Sequence, residues 1–178
     1  MIEKKGTNMD ILNLHELKAV NIQENDTDYL ITATEQPSVI ACTHCGTIED
    51  YQRFGKKEHL FMDTPIHAKR VGILLKRQRY RCKACNGTFF ANIEDLDSKR
   101  NCTRRLIEYI EKKALRQTFV SIADTVGVDE KTVRNIFRDY IEKLAETVEF
   151  EIPRIMGIDE IHIISKPRCV ITNIEHNT

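Results

Sequence analysis

The sequence predicts an α+β protein in which a β-rich N-terminal region is followed by three helices and then by a β-hairpin. Three observations lead to this prediction. Two CxxC pairs lie in the first half of the chain, apolar residues recur at helical spacing between residues 103 and 148, and two β-rich runs close the sequence. We place the domain boundaries at 1–91, 92–150 and 151–178.

The composition is that of an ordinary globular protein with a few small domains. The 178 residues include 27 basic and 27 acidic side chains, and 41% of the residues are hydrophobic. No apolar run approaches the roughly 20 residues that cross a bilayer. Residues 1–10 lack the apolar segment of a secretion signal. We therefore expect a cytoplasmic protein with no membrane partner.

The zero net charge conceals a strong segregation of charge. Residues 1–50 carry three basic and nine acidic side chains, whereas residues 51–85 carry ten basic and two acidic ones. A basic block of this kind favours a polyanion such as nucleic acid as partner. A solvated basic surface is the alternative.

Two elements are predicted before the first cysteine. Ile11, Leu14 and Leu17 stand at near-helical spacing and predict a short helix over Asn8–Val20. The run Tyr29–Thr34 is strand-like and ends before a proline. We expect both elements to cover the metal-binding part that follows.

The two CxxC pairs predict a structural zinc site. The pairs consist of Cys42 with Cys45 and Cys82 with Cys85. A two-residue gap lets a tight turn direct two thiolates at one ion, and two such knuckles complete a tetrahedral shell with no open position. The site therefore stabilises a β-rich zinc ribbon and does not activate water.

Other interpretations of these cysteines exist. A redox CxxC motif and buried free thiols are the alternatives, but a thioredoxin-like motif needs only one pair. His44, His59 and His67 could each replace a ligand, although four cysteines already fill the shell. We interpret the three histidines as ordinary surface or core residues.

The segment Val71–Arg81 predicts a strand that enters the second knuckle, with Thr88–Phe90 as the returning strand. Its second half sets four cations around Tyr80, and these side chains are candidate phosphate contacts. The four are Lys76, Arg77, Arg79 and Arg81. A solubilising strand face is the alternative.

Three helices are predicted after a polar connector at residues 92–100. The first spans 103–115 behind Asn101 or Thr103 as cap, and the second spans 119–126 between a Thr118 cap and Gly127. The third begins after Asp129, and its apolar stripe continues to Val148. The distal part of that stripe either packs on the chain or contacts a second copy.

The second and third helices have the pattern of a helix-turn-helix motif. Ala123 allows a close helix crossing, and Gly127 supplies the positive φ of the tight turn. The first turns of the third helix are then free to enter a major groove. The candidate DNA-binding residues there are Lys131, Thr132, Arg134, Asn135 and Arg138. A plain three-helix bundle is the alternative.

The last region predicts a β-hairpin. Its strands are Arg154–Ile164 and Cys169–Ile174, joined by a turn at Ser165–Arg168. Asp159 lies within the apolar first strand, where an unpaired carboxylate is costly. It is either a structurally satisfied aspartate or a divalent-cation ligand.

The order of these features resembles the N-terminal part of bacterial insertion-sequence transposases of the ISL3 type. The resemblance rests on the double CxxC, the basic strand ending in Arg79-Tyr80-Arg81-Cys82, the helix-turn-helix, and the sequence Gly157-Ile158-Asp159-Glu160 that opens a strand. It implies that the ribbon and the helix-turn-helix bind the terminal inverted repeats of an element as double-stranded DNA, with a second copy or an intact transposase as protein partner. A location in the bacterial nucleoid follows.

The resemblance also implies a ribonuclease-H-like catalytic domain with an Asp-Asp-Glu triad that holds Mg²⁺. Asp159 matches the first triad carboxylate, and the hairpin matches the start of that domain, so the chain resembles a transposase truncated before the second Asp and the Glu. Two-metal catalysis needs carboxylates from several strands. We therefore expect the chain alone to be inactive as an enzyme. A stand-alone zinc-containing transcriptional regulator is the alternative function.

Overall fold

The computed structural model describes residues 11–37, 40–48, 50–147, 149, 154–163 and 166–174. The chain forms two compact units, Met1–Ile141 and Glu142–Thr178. The strands of the first unit are β1 Leu17–Glu24, β2 Asp28–Glu35, β3 Tyr51–Ile66, β4 Lys69–Cys82, β5 Thr88–Phe90, β6 Leu96–Asp97 and β7 Cys102–Thr103. The helices are α1 Arg104–Ala114, α2 Phe119–Val126 and α3 Glu130–Thr147, and β8 Met156–Ile163 and β9 Lys166–Asn173 follow. No helix in these described ranges is long and apolar enough to span a membrane.

The first unit is organised around a long antiparallel hairpin of β3 and β4. The sheet order is β1-β2-β4-β3-β7-β6, β5 pairs with β4, and β2 runs parallel to β4. Phe61, Ile73 and Leu75 are fully buried in the core of this sheet together with Ile31. Each such side chain contributes about 1.5–3 kcal/mol by leaving water. The strands predicted at 29–34, 71–81 and 88–90 are confirmed.

The helix predicted over Asn8–Val20 is wrong in the part that the structure describes. Leu12 and Leu14 are buried in the sheet core outside any helix, and the residues from Leu17 onward form edge strand β1 against β2. Packing onto the sheet therefore overrides the helical spacing of these apolar residues. The 16-residue strand β3 was not predicted, because its exposed first half is mostly polar and charged.

The three predicted helices are confirmed, with bounds within a residue of the prediction. Thr103 and Thr118 cap α1 and α2 by accepting hydrogen bonds from backbone N–H groups, and Gly127 ends α2 at φ +74°. The Asp129 Oδ1 atom accepts from the Lys131 N–H at 2.6 Å at the start of α3. A separate helical core joins the three helices and contains Leu106, Ile110, Ile122, Val126, Val133 and Ile136.

A buried carboxylate attaches the helices to the sheet. Asp63 of β3 is fully buried and accepts a hydrogen bond from Thr103 Oγ1 at 2.7 Å. The Arg105 guanidinium of α1 pairs with the same carboxylate and donates to the carbonyl of Leu12 at 2.7 Å. The ion pair between Asp63 and Arg105 therefore connects the helices to the sheet.

The C-terminal hairpin is confirmed, with β9 beginning at Lys166 where the sequence predicted a turn through Arg168. Its side chains are mostly solvent-exposed, including Ile158 and Ile171. The prediction that Asp159 lies in an otherwise buried strand is wrong: it is exposed and pairs with Val170 across the hairpin. Two strands alone provide no interior that could desolvate a carboxylate.

Candidate metal centre and nucleic-acid interface

The structure brings the four predicted zinc ligands together. The Sγ atoms of Cys42, Cys45, Cys82 and Cys85 all lie within 4.8 Å of one another. The Cys42–Cys85 and Cys45–Cys82 sulfur pairs are each 3.7 Å apart. Four sulfurs at 2.3 Å from a tetrahedral zinc ion stand about 3.8 Å from one another. The tetrad therefore has the size of a zinc–thiolate shell.

Left-handed backbone positions shape the two knuckles. Gly46 (φ +75°) and Asn86 (φ +58°) turn the chain back after each CxxC pair. The Cys42 N–H donates to Thr47 O, and the Cys82 N–H donates to Gly87 O. A Cβ at Gly87 would stand 2.7 Å from His44 Cδ2 and 3.3 Å from Cys85 Sγ. A larger residue at position 87 would therefore displace the His44 ring and crowd Cys85 Sγ.

The electrostatics of the tetrad favour a thiolate at Cys45 and disfavour one at Cys85, where burial and the neighbouring sulfurs raise the pKa to about 12. The Thr47 hydroxyl lies 3.2 Å from Cys45 Sγ, and hydrogen bonds from this hydroxyl and from the Thr47 N–H lower the pKa of Cys45 to about 6. A sulfur that ionises readily binds a metal ion without a large proton cost. The donor set fits a structural zinc ion.

The remaining thiols and histidines lie elsewhere. Cys102 is buried, burial raises its pKa to about 12, and its Sγ donates to Arg100 O. His44 is turned toward the Thr88 carbonyl, with its Nε2 atom at 3.2 Å. His67 lies in the β3–β4 turn beside Tyr29. Among the described residues, only the four knuckle cysteines form a cluster of three or more metal-binding side chains.

The basic strand β4 divides into buried and exposed cations. Arg77 is 4% exposed and pairs with the buried carboxylate of Glu35 at 3.1 Å. It also donates to the carbonyl of Ala91. The prediction that Arg77 contacts DNA is wrong, because its guanidinium is used inside the protein. The partner, Glu35, lies on the neighbouring strand β2 and could not be identified from local sequence.

The other three predicted contacts on β4 reach the surface. Lys76 is exposed, and Arg79 and Arg81 stack over the ring of Phe54 at 4.8 and 5.8 Å. Sequence reasoning missed the neighbouring strand β3, which adds exposed basic side chains beside them. These are Arg53, Lys56 and Lys57. The charge count of residues 51–85 was the available signal. This basic hairpin surface lies next to the metal centre.

The exposed side of α3 carries the cations expected of a recognition helix. Lys131, Arg134 and Arg138 are exposed, whereas Val133 and Ile136 pack into the helical core. Arg134 pairs with Glu130 one turn earlier at 2.6 Å. The other two predicted contacts, Thr132 and Asn135, are half-buried and line a polar cleft with the loop 99–101. The five predicted residues therefore lie on two adjoining sides of one helix.

Asp159 belongs to no cluster of three or more metal-binding side chains in the part of the chain that is described. Its Oδ1 atom accepts a hydrogen bond from the N–H of Glu160 at 2.8 Å. Glu160 itself stands 3.7 Å from His162. The two carboxylates are neighbours in sequence and point to opposite faces of a strand. This arrangement alone provides no two-metal site.

Comparison with protein-family models gives two matches. Residues 38–85 match the model described as the zinc-finger of transposase IS204/IS1001/IS1096/IS1165. Residues 91–141 match the model described as the helix-turn-helix domain of transposase family ISL3. No curated protein and no solved structure matches the chain. The first match contains the cysteine tetrad, and the second contains α1, α2 and the first part of α3. The chain belongs to the ISL3 family of transposases, and it carries the zinc ribbon and the helix-turn-helix domain of that family's N-terminal region.

Proposed function

We propose that this chain is the DNA-binding part of an insertion-sequence transposase and that it recognises the terminal inverted repeats of its element. The observation that carries the proposal is the exposed row of Lys131, Arg134 and Arg138 on α3, directly after the Gly127 turn. A helix presented in this way enters a major groove with its first turns against base edges. Arginine and lysine are the side chains that read guanine there.

Each candidate residue has a role in this proposal. Lys131 and Arg134 contact base edges or phosphates, and Asn135, Thr132 and Arg138 extend the contact along the groove. The ribbon adds sequence-independent phosphate contacts through Lys76, Arg79 and Arg81. Zinc holds the ribbon and takes no part in recognition.

The protein partner is a second copy or an intact transposase, since an element has two ends. Such a protein acts at the bacterial nucleoid in the cytoplasm.

The proposal assigns no strand cleavage to this chain acting alone. Asp159 corresponds to the first carboxylate of the family's catalytic triad and would bind Mg²⁺ only within a complete centre. Cleavage by two metal ions requires carboxylates from several strands, and the hairpin offers one such position. Mg²⁺-dependent cutting of repeat DNA by these 178 residues would contradict this part of the proposal.

Selection from a randomised duplex library tests the recognition step. The zinc-loaded chain should enrich one sequence that matches inverted repeats flanking its gene. Arg134→Ala should then weaken binding to that duplex by about 1–3 kcal/mol and relax the preference at one position. Lys18→Ala, which removes an exposed lysine from β1, is the matched control and should bind as the parent does.

The alternative function is transcriptional regulation by a stand-alone zinc and helix-turn-helix protein. The metal centre and α3 suit this function equally, because both serve DNA binding in general. Mapping of the bound sites along the genome separates the two functions. Occupancy of promoters with no inverted repeat would favour the regulator and contradict the proposal.

A further inference from the structure

A polar cleft lies beside the recognition helix. The loop 99–101 forms one wall, and Thr132, Asn135, Arg138 and Asp139 of α3 form the other. The cleft encloses about 320 Å³, and Thr132 lies in the first turn of the helix. It therefore opens at the end of α3 that enters the groove.

The loop is held firmly against α3. The Arg100 guanidinium bridges Asp97 at 2.8 Å and Asp139 of the helix, and the Arg100 N–H donates to Asp97 Oδ1 at 2.9 Å. The Asn101 carbonyl accepts from the Met62 N–H of β3 at 2.9 Å. Asn101 itself has φ +52°, a conformation that asparagine tolerates. A preformed cleft needs little ordering when a ligand binds.

The cleft offers donors and positive charge. Lys99 is exposed and makes no ion pair with any residue that the structure describes, and the amides of Asn101 and Asn135 add neutral hydrogen-bond donors. The carboxylate in the wall, Asp139, is already neutralised by Arg100. An anion with several acceptor oxygens suits this lining better than a cation does.

The dimensions of DNA identify the anion. The major groove is about 12 Å wide, and a helix with its side chains is about 10–12 Å across. A helix that enters the groove therefore fills it, so that an element lying against the side of the helix meets the phosphate ridge. The loop 99–101 is such an element.

We propose that this loop–helix cleft binds a backbone phosphate of the duplex that α3 reads, with Lys99 as its cation and Asn101 as a neutral donor. The inference rests on the proposed DNA-binding function and deepens it. It adds a sequence-independent contact from the segment that connects the ribbon to the helices. This contact fixes how far α3 enters the groove.

The test measures how duplex affinity depends on salt. The zinc-loaded parent, Lys99→Ala, Lys99→Arg and the control Lys18→Ala are titrated with the selected duplex and with a random-sequence duplex over a range of salt concentrations. Loss of one phosphate contact lowers the slope of log K against log[salt] by about 0.9. Lys99→Ala should show this change and lose about fivefold in affinity on both duplexes, whereas Lys99→Arg should retain the parental slope.

The outcomes separate this inference from the function on which it rests. An unchanged slope in Lys99→Ala, together with weakened target binding in Arg134→Ala, would overturn the cleft proposal and leave DNA recognition intact. A change in sequence preference in Lys99→Ala would also contradict it, because phosphate contacts do not read bases. If the parent bound no duplex at all, both proposals would fail.

Discussion

His59 of β3 lies between two aromatic rings with an unpaired nitrogen. Its imidazole stacks near Phe61 and meets the edge of Phe90 at 5.2 Å, and its buried Nε2 atom has no hydrogen-bond partner among the described residues. Burial lowers the pKa of His59, and the nearby charges of Lys57 and Arg77 lower it further. The folded protein therefore favours the neutral ring.

This lowered pKa predicts a pH-dependent loss of stability. The unfolded chain binds a proton at this histidine near pH 6.5, whereas the folded chain binds it only at lower pH. The free energy of unfolding is therefore undiminished above about pH 6.5 and decreases as the pH falls below that value. Relative to His59→Phe, the parent should lose stability between about pH 7 and 5. Urea unfolding of both proteins at each pH measures this.

Comparison of the two proteins cancels the acid release of zinc, which affects both equally. A difference in the free energy of unfolding that stays constant across this pH range would show that His59 titrates as in the unfolded chain.

At the scale of the element, strand β4 contributes to two different cores. Ile73 and Leu75 pack into the sheet core, whereas Tyr80 and Cys82 on the opposite face belong to the small cluster of the ribbon. Arg77 lies between these two parts of β4, at the point where burial passes from one face of the strand to the other. Its ion pair with Glu35 connects β4 to β2. The pair lies directly after the Thr34–Lys76 step of the parallel ladder between these two strands.

Removal of one partner of this pair should destabilise the protein strongly. Arg77→Ala leaves the buried Glu35 carboxylate uncompensated, and we expect a loss of about 3–5 kcal/mol in the free energy of unfolding. The matched control is Lys76→Ala, whose exposed pair with Glu58 should contribute at most about 1 kcal/mol. Chemical denaturation measures both. If Arg77→Ala were as stable as the parent and bound DNA more weakly, Arg77 would contact DNA after all.

Local signals predicted the helices and the knuckles, because caps, turns and CxxC pairs act over a few residues. Thr103, Thr118 and Gly127 mark helix ends whatever the rest of the chain does. The burial of Arg77 depends on Glu35, 42 residues away in sequence, and the irregular segment around Leu12 depends on the sheet that it covers. The cleft beside α3 likewise joins segments about 30 residues apart. Such pairings have no local signature.

At the scale of the molecule, the described part of unit Met1–Ile141 contains three buried clusters of unequal size. The sheet and the helices each have an extensive apolar core. The ribbon cluster is smaller and includes Cys42, Tyr80, Cys82, Phe89 and Ala91. Two of its members are metal-binding cysteines, so its stability depends on the ion more than on apolar burial.

Removal of zinc should therefore affect the ribbon before the rest of the molecule. A chelator should raise amide hydrogen exchange at residues 40–48 and 80–91, whereas the helical core around Ile122 and Val133 should remain protected. Hydrogen exchange followed by mass spectrometry measures this. Cys42→Ser should behave like the chelated parent, and Cys169→Ser, which changes a thiol outside the tetrad, should not. Equal loss of protection everywhere would indicate that the ion holds the whole unit.

The β3–β4 hairpin also connects the metal centre to the turn before α3. At one end Cys82 enters the metal centre, and at the other Met62 and Arg70 lie against Gly127 in the turn before α3. The twelve-residue step from Arg70 to Cys82 spans about 40 Å of strand, or about 12 base pairs along a duplex at 3.4 Å each. A duplex contacted by both ends therefore meets the ribbon through its phosphates a little more than one helical turn from the base pairs that α3 reads, whatever the sequence between them.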